Sequence, residues 1–260
     1  MNPHITAVIV TWNSAAHIGA CLEELAGAGL GEVLVVDNAS LDATRDIARA
    51  RPEVTVLANE RNLGYTAAVN QGVRAARTPF VLILNPDVRI GGEAVGHLAR
   101  ELTRDISVAL IAPRLEYPDG MLQYSCRRFP SPATFLLRGL GVTEESSWMP
   151  QLLHRHLMTE YDHEEPLDVD WALGACLLAR RDRLAALRYL DERYFLYYSD
   201  IDLCFRIWQA GWKVRYEPRA RALHAYGRAS ARVAPWHPLA RSHARGALRF
   251  FRKRLAASLY

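Results

Sequence analysis

The densest cluster of groups equipped for chemistry is Tyr197-Tyr198-Ser199-Asp200-Ile201-Asp202-Leu203-Cys204-Phe205-Arg206. Asp200 and Asp202 open a helical pattern, where the helix dipole favours negative charge. A carboxylate there caps the helix or, beside a hydroxylated substrate, accepts a hydroxyl proton as general base. Asp202 and Arg206 are four residues apart and can pair on one face. Asp87 follows Pro86 directly after the apolar run Phe80–Leu84. Such a carboxylate sets a turn, or holds a hard divalent cation that also takes phosphate oxygens; Mg2+ typically uses one or two carboxylates with phosphates and waters. His224 offers an imidazole as a further metal ligand, although a lone histidine is more often structural.

The hydropathy pattern indicates how the chain brings such groups together. Residues 5–10 form a short apolar run rich in β-branched side chains, which reads as a buried strand. Ser14 is expected to cap a helix running to about residue 25, stopped by Gly27, Gly29 and Gly31. Residues 33–36 read as a second strand, ending at Asp37-Asn38. Ser40 is expected to cap a helix to about residue 50, ended by Pro52. Strands at 54–57 and 80–84 flank a helix at 65–76, in which Ala68, Val69, Gly72 and Val73 keep helical spacing. Alternation of this kind predicts a parallel sheet covered by helices, with right-handed crossovers.

Ligands of open α/β sheets sit outside the carboxyl ends of the strands. Thr11, Trp12 and Asn13, Asp37 and Asn38, and Asn85 and Asp87 follow the first, second and fourth strands. These types bind sugars, bases or metals, and they also cap helices and set turns. There is no Gly-x-Gly-x-x-Gly after the first strand and no Walker lysine motif, which argues against the usual dinucleotide and P-loop sites. Residues 113–170 are rich in proline and less regular, with Asp119-Gly120 as a hairpin turn. Regularity returns with a strand at 174–179, a helix at Ser199–Gln209, a strand near 214–216 and a helix at 237–257.

The chain has 260 residues, half of them hydrophobic, enough for a full core without staples. No apolar run of about 18 residues spans a bilayer. The opening Met1-Asn2-Pro3-His4 lacks the layout of a signal peptide. Four scattered cysteines read as reduced thiols rather than a zinc or redox site. The net charge of +4 hides an asymmetry. Residues 211–260 hold twelve Lys and Arg against one acid, Glu217, a local charge of +11, so residues 1–210 carry −7. A basic tail on an acidic body suggests an anionic neighbour.

Taken together, these segments resemble the family-2 glycosyltransferases of the GT-A fold, and most closely their rhamnosyltransferase-like branch. The matching stretches are Val8-Ile9-Val10-Thr11-Trp12-Asn13, Val35-Val36-Asp37-Asn38-Ala39-Ser40, Asn62-Leu63-Gly64-Tyr65 with Asn70, and Leu84-Asn85-Pro86-Asp87. They continue with Pro113-Arg114-Leu115 to Asp119-Gly120, Ser125-Cys126-Arg127-Arg128-Phe129-Pro130 and Asp170-Trp171-Ala172-Leu173-Gly174-Ala175. The segment from Phe195 to Arg206, then Ala210-Gly211-Trp212 and His224-x-x-Gly227, completes the set; the family's usual Glu-Asp is Ser199-Asp200 here. The resemblance covers about residues 5–230 and implies an α/β GT-A domain over 1–236. That domain is a Rossmann-like sheet with helices on both faces: a nucleotide-sugar half at 1–112, an acceptor half at 113–236 on the same sheet, and a basic amphipathic helix at 237–260 beyond it.

By this resemblance Thr11, Trp12, Asn13 and Asp37 hold base and ribose, with the Trp12 ring stacked on the base and the Asp37 carboxylate on the N3 hydrogen of uracil or thymine. Asn62, Gly64 and Asn70 line the nucleotide cleft. Asn85 and Asp87 face ribose, diphosphate and metal, and His224 joins Asp87 at Mg2+ or Mn2+. Trp171, Gly174 and Asp202 lie near the acceptor, and Asp200 is the base. The implied reaction is an inverting, metal-dependent transfer, with dTDP-rhamnose as leading donor and UDP-sugars next. The acceptor would be a glycan or a polyprenol-linked glycan in bacterial surface polysaccharide synthesis. A sugar nucleotidyltransferase would need a basic loop after the first strand, and Thr11-Trp12-Asn13-Ser14 has no basic residue. A non-catalytic sugar-nucleotide-binding relative is the other alternative. Nucleic acid is not expected as a partner, since no recognition motif accompanies the basic tail. The expected location is cytoplasmic. In the tail Leu248, Phe251, Leu255 and Leu259 fall on one helical stripe flanked by arginines, which either lies on an anionic membrane or packs on the catalytic domain.

Overall fold

A computed structural model describes residues 2–142, 146, 148–225 and 237–257. Its first half runs β1 (Asn2–Thr11), α1 (Ala15–Ala26), β2 (Leu30–Asp37), α2 (Thr44–Arg49), β3 (Val54–Ala58), α3 (Tyr65–Ala75) and β4 (Phe80–Leu84), then β5 (Val88–Arg89), α4 (Gly92–Arg104) and β6 (Val108–Glu116). The second half runs β7 (Leu122–Gln123), β8 (Cys126–Arg127), α5 (Pro132–Gly139), α6 (Gln151–Leu157), β9 (Leu167–Asp168), β10 (Trp171–Ala172) and β11 (Cys176–Arg180). It closes with α7 (Arg181–Ala186), α8 (Ser199–Gln209), β12 (Lys213–His224) and α9 (Pro238–Ala257).

The main sheet has the order β3-β2-β1-β4-β11-β6-β12-β5, so both expected halves share one sheet. β1 to β4 pair in parallel, as the alternating pattern predicts. The parallel pattern read from the first half does not extend to β11, which runs antiparallel between β4 and β6. The irregular stretch from 113 to 170 carries no repeating pattern that announces this reversal. α4 and β6 lie outside the elements expected from the sequence. The Asp119-Gly120 turn does join a hairpin, β6 to β7, with the Tyr117 N–H on the Met121 carbonyl.

Strand alternation sends Val8 and Val10 to a core under α3 and α8, and Ile5, Ala7 and Ile9 to a second core under α1 and α4. Helices on both faces explain why β1 reads as an unbroken apolar run. Neither expected serine cap forms with its side chain. The Ser14 hydroxyl turns to the Trp12 carbonyl, while Asp42 receives the Ala15 N–H at 3.0 Å. α2 starts only at Thr44, because the Ser40 hydroxyl is drawn to Asp37. All four cysteines are buried free thiols. Burial pushes Cys21 and Cys126 up to about 12, which keeps them protonated and inert.

α9 packs on the domain, through a different face from the expected stripe. Phe250 is fully buried against Phe129, Tyr198 and Phe205, with Ala247 buried beside it. Phe251 packs at the margin of that contact, on Phe135 and Tyr198. Leu248 and Leu255 are instead 52% and 66% exposed. Gly246 permits this approach, since a Cβ there would lie 2.9 Å from the Tyr197 carbonyl oxygen. Leu259 and Gly227 lie outside the described residues. Among the described residues no helix is long and apolar enough to cross a membrane.

Three imidazoles are shifted by their surroundings: His156 and His163, which are buried, and His243, which is partly buried. Burial lowers the pKa of each, that of His156 to about 3 with a further push from Arg127. Such a group binds fewer protons folded than unfolded between the two pKa values. Its stabilising effect is therefore complete above the unfolded value of about 6.5 and is lost as pH falls toward the folded one. At pH 5 His156 alone costs about 2 kcal/mol, at ~1.4 kcal/mol per unit. Thermal melts from pH 7.5 to 4.5 are expected to fall steeply below about 6.5, and His156→Leu to flatten part of that fall; identical acid slopes for the two proteins would contradict it.

Candidate active site

Strand register gathers the site. Thr11 at the end of β1 lies opposite Asp37 at the end of β2, and Ile9 opposite Leu84 at the end of β4. β11 starts at the same edge, with Cys176 opposite Leu84, and the Asn85 N–H bonds the Ala175 carbonyl at 2.9 Å. β12 ends there too: His224 pairs with Val88, and the Ala225 N–H reaches the Asp87 carbonyl. One edge thus carries the polar ends of β1, β2, β4 and β12 and the approach to β11, as expected for open α/β sheets.

Asp37 has no exposure. Its Oδ1 accepts the hydroxyls of Thr11 (3.0 Å) and Ser40 (2.5 Å); its Oδ2 accepts the Ser40 N–H (3.0 Å) and faces Arg45 Nε at 3.6 Å. Three hydrogen bonds and the nearby Arg45 guanidinium hold this carboxylate, so it fastens the loops after β1 and β2. Asn13 is fixed in the left-handed region (φ 50°), with its N–H on Ser40 and its Oδ1 receiving the Leu41 N–H. This leaves Trp12 as the projecting group, 58% exposed.

Asn62 accepts the Gly64 N–H, and Gly64 (φ 89°) packs under Phe195. Asn70 is not at the cleft. It is buried in α3, where its amide bonds both the N–H and the carbonyl of Leu190. Its expected role at the nucleotide is replaced by a tie between α3 and the loop after α7.

Asp87 and His224 meet as expected, Oδ2 to Nε2 at 3.5 Å. Gln123, absent from the candidates read from the sequence, orients the imidazole. Its amide N–H donates to the His224 backbone carbonyl, so its Oε1 faces Nδ1 at 2.9 Å and accepts the Nδ1 proton. Nε2 is thereby turned toward the Asp87 carboxylate. A carboxylate beside an imidazole nitrogen is a donor set that suits a divalent metal. The Asn85 side-chain amide, at the same edge, has no hydrogen-bond partner among the described residues. No cluster of three or more metal-binding side chains forms among them.

Asp200 stands in the first turn of α8, after Tyr198 in the left-handed region (φ 72°). Its Oδ2 accepts the Gly174 N–H at 3.0 Å and its Oδ1 the Ile201 N–H at 2.9 Å. Burial raises its pKa, and these two backbone bonds counter the rise only in part. Tyr65 donates to the Gly174 carbonyl at 3.0 Å; burial and the charges of Asp200 and Asp87 raise its pKa and keep it protonated. Both carboxylates therefore flank one tyrosine.

Two expected acceptor contacts are corrected. Trp171 is 4% exposed, with Nε1 on the Arg128 carbonyl, and it forms part of the floor. Asp202 has no exposure. It accepts from Tyr194 (3.1 Å), Arg206 (2.8 Å) and Lys253 (2.5 Å), so it joins α8 to α9 rather than meeting a ligand.

The family model described as Glycosyl transferase family 2 matches residues 6–182. The chain is 33% identical over 255 residues to an N-acetylglucosaminyl-diphospho-decaprenol L-rhamnosyltransferase of Mycobacterium tuberculosis, covering 91% of this chain and 81% of the relative. It is 25% identical over 159 residues to rhamnosyltransferase WbbL of Escherichia coli, covering 61% and 56%. Among solved structures it superposes on mannosyltransferase PcManGT from Pyrobaculum calidifontis, in complex with GDP-Man and Mn2+. The TM-score is 0.59 at 20% identity, over 88% of this chain and 58% of that one. It likewise matches S. aureus TarS 1-349 in complex with UDP-GlcNAc, at a TM-score of 0.61 and 17% identity, over 90% and 62%. At such identities the likeness carries the fold, which is GT-A.

Gly64 tests the packing of the cleft wall. Its dihedrals belong to glycine alone, and a Cβ would lie 2.6 Å from the Phe195 ring. Gly64→Ala is expected to cost at least about 1–3 kcal/mol in urea unfolding; an unchanged midpoint would contradict this placement.

Proposed function

The chain belongs to glycosyl transferase family 2 and is a rhamnosyltransferase-like glycosyltransferase, and from that premise we propose an inverting transfer of a hexosyl group, rhamnose from dTDP-rhamnose first among candidates. The acceptor is a glycan or a polyprenol-linked glycan. The observation that carries the reading is the pair of differently treated carboxylates near Tyr65: Asp87 facing the His224 imidazole, Asp200 on two backbone N–H groups. The named specificity of the mycobacterial relative supports rhamnose and a lipid-linked acceptor.

The nucleotide lies along the sheet edge, with the exposed Trp12 ring against the base and the Asn85 amide toward the ribose and diphosphate. Asp87 and His224 would hold Mg2+ or Mn2+, and the ion, when bound, would supply charge neutralisation for the departing diphosphate. Asp200 accepts the acceptor hydroxyl proton as the new bond forms. Its N–H partners fix the rotamer while leaving lone pairs on both oxygens, and its raised pKa makes it a stronger base than an ordinary aspartate. Gly174 supports it with no side chain in the way: a Cβ there would lie 3.2 Å from Asp200 Cβ. A single basic carboxylate fits inversion, because Asp37 and Asp202 are saturated by internal partners. The reaction runs at the cytoplasmic face of a membrane, where a basic α9 suits an anionic surface.

Asp200→Asn keeps size and removes basicity. Transfer is expected to fall on the order of 10²–10⁴-fold, with dTDP affinity nearly unchanged. In the unmodified protein the rate is expected to drop as pH falls through an apparent pKa above the usual ~3.9 of aspartate. A normal single-turnover rate in the variant would assign Asp200 a structural role.

Calorimetric titration with dTDP, UDP and GDP tests the donor. Preference for dTDP, dependent on Mn2+ and lost in Asp87→Ala, is the expected result. A clear preference for GDP, or full activity of Asp87→Ala in excess EDTA, would exclude this reading.

A further inference from the structure

α9 and the segment leading into α8 enclose a groove of about 970 Å³. Its floor is apolar, formed by Phe195, Tyr197, Leu239 and Leu248. Phe195 and Leu248 are 53% and 52% exposed, unusual for large apolar side chains that line one concave surface. The rim is cationic: Arg193, Arg245, Arg249, Arg252 and Lys253, with no Asp or Glu among the lining residues.

Two of these charges are already compensated. Arg193 is bidentate on Asp191, and Lys253 bonds Asp191 and Asp202. Arg245, Arg249 and Arg252 have no carboxylate partner among the described residues; Arg249 meets only the Arg193 carbonyl and the Tyr194 ring. Uncompensated guanidinium groups beside an apolar trough suit a ligand that is anionic at one end and hydrocarbon at the other, and guanidinium matches phosphate oxygens bidentately.

The groove connects to the Asp200 carboxylate through a short run of contacts, from Phe195 to Tyr65, from Tyr65 to Gly174 and from Gly174 to Asp200. Phe195 closes over Gly64, and its carbonyl takes the Tyr65 N–H at 2.8 Å. Tyr197 stands in the same short segment that leads into Asp200. We propose that this groove holds the diphosphate and first isoprenoid units of the lipid-linked acceptor, so that the sugar on that diphosphate extends to Asp200. The inference rests on the lipid-linked reading above. A concave apolar trough lined with guanidinium groups accommodates one lipid diphosphate, whereas a helix bound to a membrane surface lies in the interface plane with its apolar face in the lipid.

Binding to the full chain tests it, with geranylgeranyl diphosphate, inorganic diphosphate and phosphatidylglycerol vesicles as probes. The isoprenoid diphosphate is expected to bind at least about ten-fold tighter than inorganic diphosphate. The double variant Arg245→Glu with Arg252→Glu, both exposed positions, is expected to weaken it at least about ten-fold. Leu248→Ser is expected to weaken the isoprenoid diphosphate and leave inorganic diphosphate unaffected. An unchanged affinity in the double variant overturns the proposal. So does loss of vesicle binding alone, which assigns these cations to a membrane surface. Titration with dTDP on the same proteins keeps the two readings apart. If dTDP fails to bind while the isoprenoid diphosphate behaves as expected, the donor reading falls and the groove stands.

Discussion

The antiparallel pairing of β11 with β4 is the constraint on which the site depends. Five residue pairs, from Cys176 with Leu84 to Arg180 with Phe80, join the two halves of the chain in one sheet. The pairing extends one step further, where Ala175 accepts the Asn85 N–H. That step carries Gly174 to the edge where Asp87 emerges, and Gly174 in turn fixes Asp200. Because side chains alternate at a period of two, a slip by one residue would exchange the faces of β11 and withdraw Gly174 from Tyr65 and Asp200 together. The separation of Asp87 and Asp200 is thus set by backbone hydrogen bonds in the centre of the sheet.

Four aspartates show how burial sorts one residue type into two kinds of work. Asp37 and Asp202 have no exposure, and each is compensated by a cation and by hydroxyl donors: Arg45, Thr11 and Ser40 for one, Arg206, Lys253 and Tyr194 for the other. A buried carboxylate without such partners would be strongly destabilising. Asp87 and Asp200 are only partly buried and keep unused acceptor capacity. Saturated carboxylates hold loops and helices, and unsaturated ones are available to ligand.

Much of the first half was legible in the sequence, because a buried parallel strand and an amphipathic helix leave different periods in the hydropathy. The run from β1 to β4, the edge carrying Thr11, Asp37 and Asp87, and the helix start at Asp200 could all be read this way. Partners far apart in sequence could not. Gln123 sits in a two-residue strand and matters only through His224, 101 positions away. Asn70 looks like a cleft residue until Leu190, 120 positions away, claims its amide. Asp202 was partly decidable. At about 100° per residue, positions two apart on a helix point to nearly opposite sides, so Asp200 and Asp202 cannot both face one acceptor. The reversal of β11 left no trace, since pairing direction is not written in the composition of a five-residue apolar strand.

The link between Lys253 and Asp202 also has a consequence in time. The two residues are 51 positions apart. At roughly 5–20 residues per second, a ribosome needs about 3–10 s to travel from one to the other. Throughout that interval α8 carries a carboxylate destined for complete burial with only Arg206 to neutralise it, and the aromatic bed for Phe250 stays open to solvent. Asp202 therefore gains its second cation only after residue 253 has been made. A nascent chain that stops short of Lys253 already holds the whole parallel run of β1 to β4, while the buried carboxylate of α8 still lacks one of its partners.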